Sequence, residues 1–368
     1  MSNRKLNDTQ NMGNQNLNDM QNVSNQNLND MHSMSSKQSD KTESNNTTCR
    51  VCLKQGEEML LAAGIEEAAN DAWLLFSEIF QMSRARYYMD MNRTCDPKLA
   101  ARYEEWIQKR AQRIPLQHII GHAPFMAYEF YVNEHVLTPR ADTEVLVEET
   151  FAAVKQMVSG KKQVFSERNQ DFPEGEQVLS EEKQVLSEGE QTLSEKIQIL
   201  DMCTGSGCIA VSLTCMAQEA AIPCQVTAAD LSEEALLVAQ KNNEALCEGR
   251  VQLIHSNLFE ALPDTKEFDI IVSNPPYIKS EEIDGLMPEV RDHEPRMALD
   301  GKEDGLYFYR KLAEDGWHFL KKGGKMLLEI GYDQGVSVPE ILKNCGYSQI
   351  QVIQDLAGLD RVVTACKE

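Results

Sequence analysis

Cations are the first shortage. Lys and Arg number 36 against 58 Asp and Glu, a formal net charge of −22. Gripping a nucleic-acid backbone takes clustered Lys and Arg to neutralise phosphates, so direct nucleic-acid binding is not expected, a local basic patch aside. Long apolar runs are missing too. No stretch approaches the roughly 18 apolar residues of a membrane helix, so no membrane partner is expected. No apolar run follows the basic residues of Met1-Ser2-Asn3-Arg4-Lys5-Leu6-Asn7, and no secretory signal is read there. Without an export signal, the ten cysteines, mostly scattered singly, read as reduced thiols of a cytoplasmic protein.

Residues 1–47 have almost no aliphatic content. They are Asn, Gln, Ser, Asp and Met, with Leu-Asn-Asp recurring at Leu6, Leu17 and Leu28, a spacing of 11. That spacing suits a helix, but Asn is a poor helix former and too little is there to bury, so a disordered low-complexity tail is expected. A second low-complexity stretch lies at 160–196. Gln177-Val178-Leu179-Ser180-Glu181 returns at Gln184 and, as Gln191-Thr192-Leu193-Ser194-Glu195, at Gln191. Three heptads without a second good apolar position make a solvated insert rather than a coiled-coil seam.

The remainder is globular: 42% of the 368 residues are hydrophobic and 26% charged, enough for a full core and about two domains. Over 48–120 the pattern is helical. Leu60, Leu61, Ala68, Ala69, Ala72, Leu75, Phe76, Ile79 and Phe80 recur at helical spacings, and a second amphipathic stretch runs from Pro97 to Arg113. Residues 121–140 are a linker with a β-hairpin expected over 124–138, where Asn133-Glu134 separates two short apolar runs. From 141 to 368 strands and helices alternate. Strands are expected at Ile197–Met202, Gln225–Ala229, Val251–His255, Phe268–Ser273, Lys325–Ile330, Ile350–Gln354 and Arg361–Ala365. Helices are expected at Cys208–Ala217, Glu233–Leu246 and Gly305–Leu320. This predicts an α/β, doubly wound, seven-stranded sheet, its last two strands antiparallel because Asp355–Asp360 is too short for a helical crossover.

Three loops carry chemistry. Asp201-Met202-Cys203-Thr204-Gly205-Ser206-Gly207 closes the first strand and opens a helix, so the backbone can approach a ligand closely. Asp230 closes the second strand, 23 residues after Gly207. A carboxylate there can accept from both hydroxyls of a ribose, or cap the following helix. Together they indicate an adenosine-type cofactor without separating NAD from S-adenosylmethionine. The fourth strand runs into Asn274-Pro275-Pro276-Tyr277. Two prolines remove the N–H groups at 275 and 276, so this loop offers acceptors, which suit a planar –NH2 group beside a methyl donor. A plain Pro-rich turn is the poorer reading beside a glycine loop.

Other clusters are weaker. Cys49-Arg50-Val51-Cys52 is a lone CxxC with no second pair nearby in sequence, and His118 and His122 have no third ligand near, so no metal is expected. Cys203 and Cys208 read as small-residue packing. Arg140 with Pro139 either contacts the cofactor's carboxylate or braces the hairpin.

With these segments, the sequence resembles the HemK/PrmC family of protein-(glutamine-N(5)) methyltransferases over about 48–368, the insert excepted. Matching segments are Pro115–Gly121 with Phe125, Thr138–Glu144, the glycine loop, Asp230, Asn274–Tyr277, Glu294–Leu299 with Asp304-Gly305-Leu306, and Asp355–Arg361. The resemblance implies a Rossmann-like class I methyltransferase, S-adenosylmethionine as cofactor, and class-one peptide chain release factors as partners, recognised partly by the helical domain. The methylated atom would be the side-chain amide nitrogen of the glutamine in their Gly-Gly-Gln motif. Carried over, Cys203, Thr204, Gly205, Ser206 and Gly207 line the cofactor, Asp230 holds the ribose and Leu258 sits near the adenine. Asn274, Pro275, Pro276 and Tyr277 hold the glutamine. Cys203 stands where the family usually has Gly, Asn257 where Asp is usual, Leu258 where some members have Trp, and Ala141 where Pro is common. A monomer is expected. The alternatives are glutamine methylation of a ribosomal protein, methylation of an exocyclic amine in nucleic acid, or a non-catalytic protein that kept the fold.

Overall fold

The computed structural model describes residues 47–168, 196–264 and 267–368. The Leu-Asn-Asp repeat and the 177–195 heptads lie outside the described residues. The helical region comprises α1 (Cys49–Ala62), α2 (Ala68–Phe80), α3 (Arg84–Asp90), α4 (Pro97–Ala111) and α5 (Leu116–Ile120). Asp96 caps α4 by accepting from the Lys98 and Leu99 N–H groups, and Pro97 occupies the first turn, where no N–H is needed. The buried face of α4 is Tyr103, Trp106, Ile107 and Arg110, one stripe at helical spacing. It packs with Leu60, Ala72, Leu75 and Phe76 of α1 and α2, while Leu61 and Ala69 face solvent.

A hairpin follows, β1 (His122–Phe125) and β2 (Tyr128–Tyr131), paired antiparallel. Its turn is Met126-Ala127, not the expected Asn133-Glu134. The polar pair does turn the chain, but after β2: the Asn133 side chain accepts from the His135 N–H at 3.1 Å and leads into Val136–Arg140.

Then comes α6 (Ala141–Arg168), which runs past the expected start of the insert at 160. The sheet elements are β3 (Ile197–Met202), α7 (Cys208–Glu219), β4 (Cys224–Asp230), α8 (Glu233–Cys247), β5 (Gln252–His255), β6 (Phe268–Ser273), α9 (Pro288–Arg291), α10 (Arg296–Leu299), α11 (Tyr307–Phe319), β7 (Leu320–Glu329), α12 (Ser337–Asn344), β8 (Ser348–Gln354) and β9 (Asp360–Cys366). Strand order is β5-β4-β3-β6-β7-β9-β8. The first five are parallel, and β9 runs antiparallel to both β7 and β8. β7 begins five residues before the expected Lys325, because Leu320 already pairs with Phe268 across a bulge.

Alternation divides the core in two. Ile197, Ile199, Val226, Ile270, Val272 and Leu327 meet α6 and α7 on one face. Leu200, Met202, Ile271, Met326 and Leu328 meet α11 and α12 on the other. The strand order reverses between β3 and β6, which opens a crevice at their carboxyl ends. Among the described residues, no helix is long and apolar enough to cross a membrane.

Candidate active site

The glycine loop leaves β3 through three left-handed backbone positions, Cys203 (φ 61°), Gly205 (φ 54°) and Gly207 (φ 79°). An L side chain in that region costs about 1–2 kcal/mol, a physical reason for Gly where Cys203 stands. Gly207 is needed twice over, since an added Cβ would lie 3.1 Å from the Ala239 Cβ of α8. Asp201 anchors the loop from below: its Oδ2 accepts from Thr204 Oγ1 at 2.6 Å and the Ala210 N–H at 3.2 Å. Its Oδ1 has no hydrogen-bond partner among the described residues, and burial pushes the carboxyl up to about 7 against those hydrogen bonds.

Asp230, at the end of β4, accepts from the Gly205 N–H at 2.8 Å and the Ser232 N–H at 2.9 Å. The cap of α8 is Ser232, which accepts from the Ala235 N–H, so the expected capping alternative for Asp230 is corrected. Each carboxylate oxygen keeps a lone pair, and Asp230 faces the crevice. Asn257 turns its side chain to Glu260, and Leu258 sits in a left-handed conformation.

Asn274 follows β6 directly. Its Nδ2 donates to Thr143 Oγ1 of α6 at 3.2 Å, and among the described residues nothing donates to its Oδ1. Beyond Tyr277 the chain is laid on the 299–302 segment by Ile278 N to Leu299 O at 3.0 Å and Gly301 N to Ile278 O at 2.8 Å. Burial and the nearby Glu329 carboxyl push the Tyr277 hydroxyl up to about 12.

These loops wall one crevice of about 200 Å³. Of the sequence-named residues, Cys203, Thr204, Gly205, Ser206, Asp230, Leu258, Asn274 and Pro276 line it. Gly207, Pro275 and Tyr277 do not: Gly207 packs on α8, Pro275 is buried in the loop, and Tyr277 packs against the β7-side core. Arg140 reaches the crevice wall but braces, its Nη2 donating to both Glu294 oxygens at 2.8 and 2.9 Å. Thr143 and Asp201 were visible only as members of longer motifs, and Glu329 not at all. His118 bonds Thr138, and His122 lies between Glu78 and Glu129. Cys95 comes within 3.3 Å of Cys49, a neighbour the sequence spacing hid. Among the described residues, no group of His, Cys, Asp or Glu has metal-holding geometry.

Known proteins with similar sequences supply the family. The PrmC N-terminal domain model matches residues 52–121 and the Methyltransferase small domain model matches 155–289. A release factor glutamine methyltransferase of Caulobacter vibrioides is 35% identical over 312 residues, 84% of this chain and 93% of that one. That of Geobacter sulfurreducens is 33% identical over 316 residues, 86% and 95%. This chain belongs to the release factor glutamine methyltransferase family. A bifunctional methyltransferase of Rickettsia felis is 35% identical over 317 residues, 84% of this chain, which spans only 56% of that longer protein. Among solved structures, a methyltransferase from Pyrococcus furiosus aligns with TM-score 0.35 and 22% identity, over 48% of this chain and 78% of that one. Membership in the family makes the protein an S-adenosylmethionine-dependent methyltransferase with the seven-stranded class I fold.

Proposed function

We propose that the chain transfers a methyl group from S-adenosylmethionine to the side-chain amide nitrogen of the glutamine in the Gly-Gly-Gln motif of class-one peptide chain release factors. The observation that carries this is the Asn274 carboxamide, fixed by Thr143 in a crevice that the glycine loop also lines. The crevice suits the cofactor: the turn exposes backbone, Asp230 keeps lone pairs for ribose hydroxyls, and Leu258 with Ile209 and Ala235 offers apolar surface. When bound, the cofactor supplies an electrophilic methyl on a sulfonium.

The chain's own part is positioning. An amide nitrogen is a poor nucleophile because its lone pair is delocalised. Asn274 Oδ1 accepts one hydrogen of the glutamine –NH2, and the carbonyl of Pro275, whose ring is buried in the loop, takes the other, which aims the lone pair along the crevice. Pro276 lines the wall, and Tyr277 braces the loop from behind. Rate comes from orientation and electrostatics rather than from a strong base. The protein works in the cytoplasm, where release factors act, as a monomer.

Labelled S-adenosylmethionine with purified release factor tests this, wild type against a Gln→Ala variant of its Gly-Gly-Gln motif. Label enters only the wild-type factor if the reading is right. With cofactor binding established, no label in either factor moves the substrate to a ribosomal protein or a nucleic-acid amine.

A further inference from the structure

The sheet register places a carboxylate behind Asn274 that the mechanism above leaves unused. β6 and β7 pair in parallel, Val272 with Leu327 and Ser273 with Leu328, so Asn274 and Glu329 are the next residues along. Alternation turns both side chains to the face of Val272 and Leu327, which α6 covers. Thr143 arrives at the same place from the first turn of α6. Glu329 is 2% exposed, and its carboxyl faces Thr143 and Asn274 as an acceptor. Among the described residues its Oε2 has no hydrogen-bond partner. Arg361, the cation nearby, is already held by Asp355 at 3.0 Å and Asp142 at 3.2 Å. A buried carboxylate so incompletely paired is costly to keep.

We infer that Glu329 is the positioning residue for Asn274: its ionised carboxylate accepts from the Thr143 hydroxyl, so Thr143 Oγ1 can only accept from Asn274 Nδ2, and the carboxamide is held with Oδ1 toward the substrate amide. This rests on the proposed function. With Glu329 protonated, its O–H donates to Thr143 and the direction of the chain is lost. Thr143 can then donate toward Asn274, and a flipped carboxamide sets Nδ2 against the substrate –NH2, donor against donor.

The charge state of Glu329 is set by what surrounds it. Burial and Asp142 from α6 raise it, Thr143, Arg361 from β9 and Asn274 lower it, and the balance lies at about 7. Tyr277, Tyr309 of α11 and Cys208 of α7 also face it, their own groups held neutral by burial. Turnover should therefore fall on the acid side of a midpoint near 7.

The test is kcat, KM and their pH dependence for the full chain with release factor and labelled cofactor, with cofactor affinity measured separately. Glu329→Gln is expected to lower kcat by about 10- to 100-fold, leave cofactor affinity unchanged and lose the acid limb. Wild-type kcat in this variant, or an acid limb unmoved, overturns the inference. Should Glu329→Gln not fold, Glu329→Asp keeps an ionisable acceptor and should show reduced turnover with the acid limb retained; loss of the limb there overturns it equally. Failure of the wild type to methylate the factor counts against the proposed function instead.

Discussion

Gly305 and Tyr277 are packed backbone to backbone: a Cβ on Gly305 would stand 2.5 Å from the Tyr277 carbonyl oxygen. Gly305 is also left-handed, at φ 72°. Gln334 Nε2 donates to both carbonyls, at 3.2 Å each. The Asn274–Tyr277 loop is thus seated on a segment some thirty residues downstream, by an approach that only glycine permits.

Gly305→Ala should push this loop away from the crevice. A misplacement of about 1 Å costs as much as 100-fold in rate, so kcat should fall at least about tenfold. The glycine loop is untouched, so cofactor affinity should hold. Titration of cofactor beside steady-state kinetics checks this, and an equal loss in both would contradict it.

Asp230→Asn replaces one of two accepting oxygens with an –NH2 facing an N–H of Gly205 or Ser232. A hydrogen bond to a charged group contributes about 1.5–3 kcal/mol, so cofactor binding should weaken roughly 10- to 100-fold. Calorimetric titration measures it. Wild-type affinity would remove Asp230 from the cofactor site.

Asp71→Ala should lower stability by about 3 kcal/mol, because it strands a buried guanidinium. Arg110 Nε donates to Asp71 Oδ2 at 2.7 Å with both side chains 9% exposed. Arg110 also reaches Glu289 at 3.0 Å, tying the helical region to α9. Denaturant unfolding gives the number, and a loss well under 1 kcal/mol would show that Glu289 alone suffices.

Asp201 gives stability a pH dependence. Burial raises its carboxyl from 3.8 to about 7. Between these values the folded chain holds a proton that the unfolded chain has released. The favourable contribution is complete below 3.8 and is lost as pH rises through about 7. Asp201→Asn should flatten part of that fall in denaturant midpoints of the cofactor-free protein. Parallel curves for wild type and variant would clear Asp201 of the effect.

Much of this fold is legible in the sequence. Apolar strands bounded by loops gave all seven sheet members, and Asp355–Asp360 gave the antiparallel end by its length alone. The hairpin turn was misplaced because Met126-Ala127 has no turn chemistry, and Met126 accepts a left-handed φ of 54° there. Asn133-Glu134 has that chemistry and spends it just after β2. Asn274 and the glycine loop were readable because their residue types are unusual for where they stand. Glu329 was not, since only strand register makes it a neighbour of Asn274 and no sequence spacing encodes register across 55 residues.

Mass spectrometry of release factor incubated with the protein and S-adenosylmethionine shows where the methyl group goes. Fragmentation of the peptide bearing Gly-Gly-Gln should place one methyl group on the glutamine side chain, and Asn274→Ala should abolish it while cofactor still binds. A methyl group on another residue, or undiminished transfer by Asn274→Ala, would contradict the account.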